Sequence, residues 1–152
     1  MKHIVIIIYL LLFASFDLCA QSFNMNNTAL ANYLVRMYED NPFEGARIVD
    51  DYDSARLICV LSLDGAAYPD KATLNRIASV KAMSIASRFL NGAEITSDTI
   101  IHTHDKFNGQ TDTEIIENIR ERSIGYVKSV EQLTNFKNKE GRTVFIFSTK
   151  EI

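Results

Sequence analysis

The chain has 152 residues, of which 23% are charged, and its formal net charge is −3. This length suits one domain with a hydrophobic core of its own. The acidic balance argues against a nucleic-acid-binding surface, because such surfaces are normally basic. No repeat and no linker rich in proline, glycine or serine divides the sequence after residue 29. We therefore expect a single domain over residues 29–152 that binds no nucleic acid.

Residues 1–20 have the pattern of a bacterial export signal. Lys2 precedes an apolar run at residues 4–16, and this run is shorter than the roughly 20 residues that span a bilayer. The residues "LCA" before Gln21 suit a signal peptidase, which predicts cleavage after Ala20. We expect an exported protein, either periplasmic or secreted.

The same segment could instead be a lipoprotein signal, because such signals end at a cysteine that becomes lipidated, and here that residue would be Cys19. Leu18 and Asp17 precede it where small and apolar residues are usual, so the match is poor. We expect peripheral membrane association only if Cys19 is lipidated. The polar residues 21–28 are expected to form a flexible segment.

Hydrophobic periodicity predicts the first elements of the domain. An apolar stripe predicts a helix at residues 29–38, for which Thr28 is a suitable N-cap. Residues 46–63 predict a β-hairpin whose second strand is apolar on both faces, as inner strands are. The longest helix is predicted at residues 70–90, where Ala82 lets a sheet approach closely.

The second half of the chain predicts four more elements and a hairpin turn. Residues "EITSDTIIHTHDKF" favour a strand, and the capping box "TDTE" at residues 111–114 predicts the start of a helix. The turn "NKEG" at residues 138–141 is expected to join a strand at 127–137 to the closing strand "RTVFIFSTKEI". A helix continuing through residues 125–136 stays open as an alternative.

This order predicts an α+β domain behind an N-terminal signal peptide. We expect a single, mostly antiparallel sheet of about five strands, with two or three helices packed mainly on one face.

Three segments carry a family resemblance. They are "RIASVKAMSIASRFL" at residues 76–90, "IRERSIGYVKSVEQL" at residues 119–133, and the closing "RTVFIFSTKEI". With the order of the elements around them, they resemble the LPP20-like lipoprotein domain and the related N-terminal domain of the flagellar assembly protein T, over residues 46–152. The resemblance implies an exported, non-enzymatic envelope protein. It transfers no site residue, because the family shares no catalytic motif.

The most chemical stretch of the chain is "IIHTHDKF" at residues 100–107. His102 and His104 project to the same face of a strand, and Asp98 has the same parity. Two imidazoles and a carboxylate suit zinc or another divalent transition metal. The alternative is an ordinary strand whose core face holds Ile101, with both histidines toward solvent.

Other candidates have simple structural interpretations. The acids at residues 50–53, "DDYD", predict a hairpin turn, with calcium binding as the alternative. Cys59 lies in the apolar run "RLICVLSL", which predicts a buried and unreactive thiol. No phosphate-binding loop or catalytic triad is apparent.

The sequence therefore predicts a cell-envelope protein of LPP20-like type that acts as a binding or structural module. Its expected partner is an envelope protein or a cell-wall component. The alternative is a metal-binding protein or a metal-dependent enzyme that uses His102 and His104.

Overall fold

The computed structural model describes residues 22–51, 54–92, 99–102, 112–122 and 130–149. These residues form helices α1 (Ser22–Asp40), α2 (Lys71–Leu90) and α3 (Asp112–Arg122), and a short 3₁₀ turn, Gly65–Ala67. The strands are β1 (Gly45–Asp51), β2 (Ser54–Leu63), β3 (Ile100–His102), β4 (Glu131–Lys137) and β5 (Thr143–Ser148). None of the helices described is both long enough and apolar enough to cross a membrane.

The five strands form one mixed sheet in the order β3-β1-β2-β5-β4. The pairs β1–β2, β2–β5 and β4–β5 are antiparallel, and only β1–β3 is parallel. The predicted α+β fold with a single, mostly antiparallel sheet is confirmed.

The two central strands of the sheet are buried on both faces. In β2 the residues from Leu57 to Leu63 are all buried, and in β5 so are all six residues from Thr143 to Ser148. Such continuous burial is typical of inner strands, and the sequence shows it as unbroken runs of β-branched, aromatic and aliphatic side chains.

Helices α2 and α3 cover one face of this sheet. The alanines of α2 lie in the core between helix and sheet, and Ala78, Ala82 and Ala86 have no exposed surface. Asp70 begins α2 as its N-cap, and its carboxylate accepts a hydrogen bond from Thr73 N at 2.7 Å. The shared core consists of Ile48, Leu57, Cys59, Leu61, Leu63, Leu74, Ala78, Ala82, Ala86, Phe89, Ile115, Ile116, Ile119, Phe145 and Phe147.

Helix α1 starts earlier than the sequence predicts. It begins at Ser22 rather than at residue 29, so Thr28 lies within the helix and is not its N-cap. The contacts of the chain divide it into two units between Arg36 and Met37, and the sheet with α2 and α3 belongs to residues 37–152. The site described below lies entirely in that second unit.

The hairpin at the end of the chain has the predicted turn. Residues 131–137 form a strand, as the preferred interpretation of this region predicts. Asn138 Oδ1 accepts hydrogen bonds from Glu140 N at 3.1 Å and Arg142 N at 2.9 Å. Gly141 has φ = 78°, a conformation that an L side chain rarely adopts. The asparagine and the glycine thus fix the path of the turn.

Candidate functional site

A groove of about 560 Å³ opens on residues 37–152 beside the β4–β5 turn. Three separate parts of the sequence line it. They are the end of α1 with the linker to β1, the end of β2, and the β4–β5 turn, which contribute Tyr38, Glu39, Pro42, Phe43, Glu44, Ser62, Lys137, Asn138, Lys139, Glu140 and Arg142.

The groove lies on the side of the sheet opposite to α2. In β2, Leu61 and Leu63 belong to the core beneath α2, so Ser62 between them points to the other face. Ser62 pairs with Val144 across β5, and Val144 pairs with Phe136 of β4. Residues paired directly across strands share a face, which places Phe136 on the groove side.

Aromatic rings form the apolar part of the site. The Tyr38 ring meets Phe136 edge to face, with the ring centroids 5.5 Å apart, and lies 6.2 Å from the Phe43 centroid. The Arg47 guanidinium carbon sits 4.0 Å above the centre of the Phe43 ring, within cation–π range. Tyr38 and Phe43 are 5% and 9% exposed, so these rings are held by packing and form a firm wall.

Polar contacts fix the end of β2 within the groove. The Ser62 hydroxyl donates a hydrogen bond to the Glu44 carboxylate, which joins the linker before β1 to the strand. Arg142 Nη2 donates to the Ser62 carbonyl oxygen at 2.9 Å, which joins the β4–β5 turn to the same residue. Hydrogen bonds of this kind, with one charged partner, are stronger than those between neutral groups.

Glycine allows the linker to reach this position. Gly45, directly after Glu44, has φ = 118°, which only glycine adopts without strain. The linker therefore turns sharply into β1 and leaves the Glu44 carboxylate at the groove.

Charged groups of both signs surround the aromatic wall. Glu39, Glu44 and Glu140 carry negative charge, and Lys137, Lys139 and Arg142 carry positive charge; all six are exposed. Lys137 Nζ donates to the Gly141 carbonyl oxygen at 3.0 Å, which holds this ammonium group at the turn. A site with an apolar wall and opposite charges at its rim suits a ligand that carries both an anionic and a cationic group.

A second polar cluster lies at the other end of the sheet. The parallel register of β1 and β3 sets His102 opposite Asp50, and His102 Nδ1 is 3.1 Å from Asp50 Oδ2. The two side chains are 22% and 18% exposed. A carboxylate only accepts hydrogen bonds, so this contact assigns the ring proton to Nδ1 and the lone pair of the neutral ring to Nε2.

Of the three residues predicted to bind a metal, the structure describes only His102. Ile101 is buried, as the strand interpretation predicts, whereas His102 is only partly exposed, because β3 pairs with β1 and brings the Asp50 carboxylate beside it. His104 and Asp98 lie outside the described residues. Within the residues that the structure describes, no group of three or more His, Cys, Asp or Glu side chains is placed to hold a metal ion. Of the predicted turn acids, Asp50 and Asp51 belong to β1.

Cys59 is the buried thiol that the sequence predicts. It is 1% exposed and pairs across strands with Ala46 and Phe147. Burial disfavours the thiolate and raises the pKa of the Cys59 thiol to about 12. A thiol with this pKa is unreactive at neutral pH.

No residue of the groove was predicted from the sequence to have a functional role. The contacts that join Ser62 to Glu44 and to Arg142 span 18 and 80 residues of sequence. No local pattern signals such contacts, and the only sequence clue is the aromatic, proline and acidic content of "YEDNPFEG" before β1.

The remaining predictions about residues 1–20, including the export signal and Cys19, lie outside the described residues. Comparison of the chain with protein-family models, with curated proteins and with solved structures found no significant match. The resemblance to the LPP20-like domain therefore stays a prediction.

Proposed function

We propose that this chain is an exported bacterial envelope protein of LPP20-like type that acts as a non-enzymatic binding module. The partner is an envelope protein or a cell-wall component, and it binds in the groove beside the β4–β5 turn. The export signal at residues 1–20 and the order of the elements support the location and the type. The groove supports binding.

The observation that carries the proposal is the arrangement of fixed and available groups in the groove. The Tyr38 and Phe43 rings are packed, and Ser62 is held from both sides by Glu44 and Arg142. Such groups are already positioned before a partner arrives, which lowers the entropic cost of binding. The exposed charges at the rim, among them Glu39 and Lys139, are placed to select a partner of complementary charge.

A charge exchange at the rim tests this function. In the variant Glu39→Lys with Lys139→Glu, both side chains are exposed, so the net charge and the buried contacts stay unchanged while the rim pattern is reversed. A matched control, Glu117→Lys with Lys71→Glu, makes the same exchange at exposed positions outside the groove. The processed protein and both variants would be immobilised and used to capture components of the cell envelope, with quantitative mass spectrometry as the readout.

We expect one component to be captured by the natural protein and by the control exchange, but to be depleted at least tenfold with the rim exchange. A tenfold loss corresponds to about 1.4 kcal/mol of binding free energy, which is within the effect of reversing two rim charges. Equal capture by both exchanges would show that the groove is not the binding site.

A second candidate function is metal binding, and the contact between Asp50 and His102 favours it. A histidine that binds a metal commonly donates its other ring N–H to a carboxylate, which orients the imidazole. Asp50 is placed to do this for His102, with Nε2 as the ligand atom. The residues that the sequence predicts to complete a site for zinc or a similar divalent ion are His104 and Asp98.

Calorimetric titration of zinc, copper and nickel tests this second function. We expect binding that is lost in His102→Ala/His104→Ala and weakened roughly 10- to 100-fold in Asp50→Asn, since that is the usual effect of removing an orienting carboxylate. Isotherms that do not differ between the natural protein and the double variant would refute a site at the histidines.

A further inference from the structure

Helix α2 carries a basic outer surface on an acidic protein. Its twenty residues include Lys71, Arg76, Lys81 and Arg88 and no acid, so the helix has a formal charge of +4. The whole chain has a charge of −3, so the rest of it carries −7. Helix α3 covers the same face of the sheet with a formal charge of −2, so the positive charge on that face is concentrated on α2.

Two of these cations lie in one row along the helix, and a third lies beside that row. Arg76, Val80, Ser84 and Arg88 follow one another at intervals of four residues, which places them in one row along the helix. Lys81 lies next to this row, three residues before Ser84. All five are exposed, and they face away from the alanines that pack on the sheet. Arg76, Val80, Lys81, Ser84 and Arg88 are called the basic face below.

The side chains of the basic face are not engaged within the protein. Across the ranges that the structure describes, none of its three cations forms an ion pair or a side-chain hydrogen bond. Val80 is 55% exposed, more than any other large hydrophobic side chain among the described residues. From Arg76 to Arg88 the row is about 18 Å long, because a helix rises about 1.5 Å per residue.

We propose that the basic face docks the protein on an anionic phospholipid surface. A straight row of exposed cations with an aliphatic side chain at its centre matches the interface of a negatively charged bilayer, where each Lys or Arg adds to the attraction. A nucleic-acid partner fits less well, because the acidic remainder of the chain repels an extended polyanion that wraps beyond the helix. A flat membrane can contact the outer row of α2 without wrapping around the rest of the chain.

This docking is compatible with the groove and independent of it. The groove lies on the opposite side of the sheet, where Ser62 points away from α2. A protein that rests on a membrane through α2 therefore presents its groove away from the lipid, toward the space where an envelope partner lies. A failure of partner capture would therefore count against the groove, and a failure of lipid binding would count against the basic face.

Vesicle partitioning of the purified full chain tests the proposal. The quantity is the ratio of two partition coefficients, one for vesicles of equal parts phosphatidylglycerol and phosphatidylcholine and one for phosphatidylcholine alone. Taking the ratio cancels any apolar contribution of residues 1–20, which acts on both vesicles.

The variant Arg76→Gln/Arg88→Gln removes two cations of the basic face. Its matched control, Arg36→Gln/Lys71→Gln, removes an exposed cation of α1 and one at the start of α2 that is not part of the basic face, and it reaches the same net charge. Each cation near an anionic surface changes partitioning by roughly fivefold. We therefore expect the basic-face variant to lower the ratio roughly 25-fold, and the control to change it by less than about threefold. Unchanged melting temperatures in both variants confirm that the fold persists.

Raising the salt concentration from about 0.05 to about 0.5 M is expected to bring the ratio of the natural protein close to one, because salt screens exposed charges. A ratio near one at low salt overturns the proposal. So does an equal fall in both variants, which would show an effect of net charge alone. Tighter binding to duplex DNA than to the anionic vesicles, at equal phosphate concentration, would also overturn it.

Discussion

The close approach of α2 to the sheet predicts that Ala82 cannot be enlarged. Its side chain is 0% exposed, and it lies in the core with Cys59 and Leu61 of β2. The substitution Ala82→Leu replaces a methyl group with an isobutyl group at the point where the helix backbone meets the sheet. Leucine has nearly the helix propensity of alanine, so only packing changes.

Overpacking of a filled core costs about 1–3 kcal/mol of unfolding free energy. For a chain of this length each kcal/mol lowers the melting temperature by about 2–4 °C, so we expect a fall of roughly 2–12 °C. The same substitution at Ala72 is the matched control, because Ala72 is exposed near the start of the same helix. Surface substitutions usually stay within about 0.5 kcal/mol.

Urea unfolding followed by circular dichroism at 222 nm, together with thermal melting, measures both variants. The prediction is a lower urea midpoint for Ala82→Leu with an unchanged slope, and no clear change for Ala72→Leu. If Ala82→Leu were as stable as Ala72→Leu, α2 would not pack on the sheet through its alanines.

Three further predictions concern single side chains. Burial raises the pKa of Cys59 from 9.0 to about 12, so the stability contributed by the neutral thiol is present below pH 9 and is lost as the pH rises above it. Between about pH 8 and about pH 10, urea unfolding should show the natural protein losing about 1 kcal/mol relative to Cys59→Ala, and a constant difference would contradict this. The variant Gly141→Ala should cost about 1–2 kcal/mol in the same assay because of its positive φ, whereas Gly65→Ala should cost less, since its added Cβ meets neighbours only at 3.5 Å or more. The hydrogen bonds from Thr73 hold the pKa of Asp70 below its usual value. Thermal melting should therefore show the full loss of stability in Asp70→Ala above about pH 4, and this loss should disappear as the pH falls further and the carboxylate is protonated. A loss that persists at low pH would refute the cap.

Most of the fold follows from periodicity that the sequence displays. Alternate residues of β2, such as Leu57 and Leu61, are apolar on one face while Ile58 and Val60 are apolar on the other, and both faces are buried. The alanine row of α2 likewise predicts a helix that lies close to a sheet. These patterns can be recognised in short stretches of sequence, and the residues that form them are buried in the folded protein as the patterns predict.

The predicted start of α1 at residue 29 was wrong because the local sequence signal there is weak. Asn26, Asn27 and Thr28 favour caps and turns, since their side chains compete for backbone hydrogen bonds. A capping residue before an apolar stripe is the usual sign of a helix start. The helix nevertheless runs through all three residues from Ser22.

The groove and the contact between Asp50 and His102 could not be predicted from short stretches of sequence, because the pairing of distant strands creates them. Asp50 and His102 meet across 52 residues of sequence, through the parallel contact of β1 with β3. The groove joins the end of α1 to a turn about one hundred residues later, as the contact of Tyr38 with Phe136 illustrates. Parallel pairing and long-range contacts depend on how the whole sheet is assembled, and no short window of sequence records it.

The most direct test of the binding function is photo-crosslinking in the cell. A photoreactive phenylalanine at Glu140 places the probe at the rim of the groove, and the same residue at Glu117 places it on the exposed surface of α3. We predict a discrete crosslink to an envelope component from position 140 that is absent at position 117. Crosslinks of equal yield at both positions, or none at position 140, would contradict a partner bound in the groove.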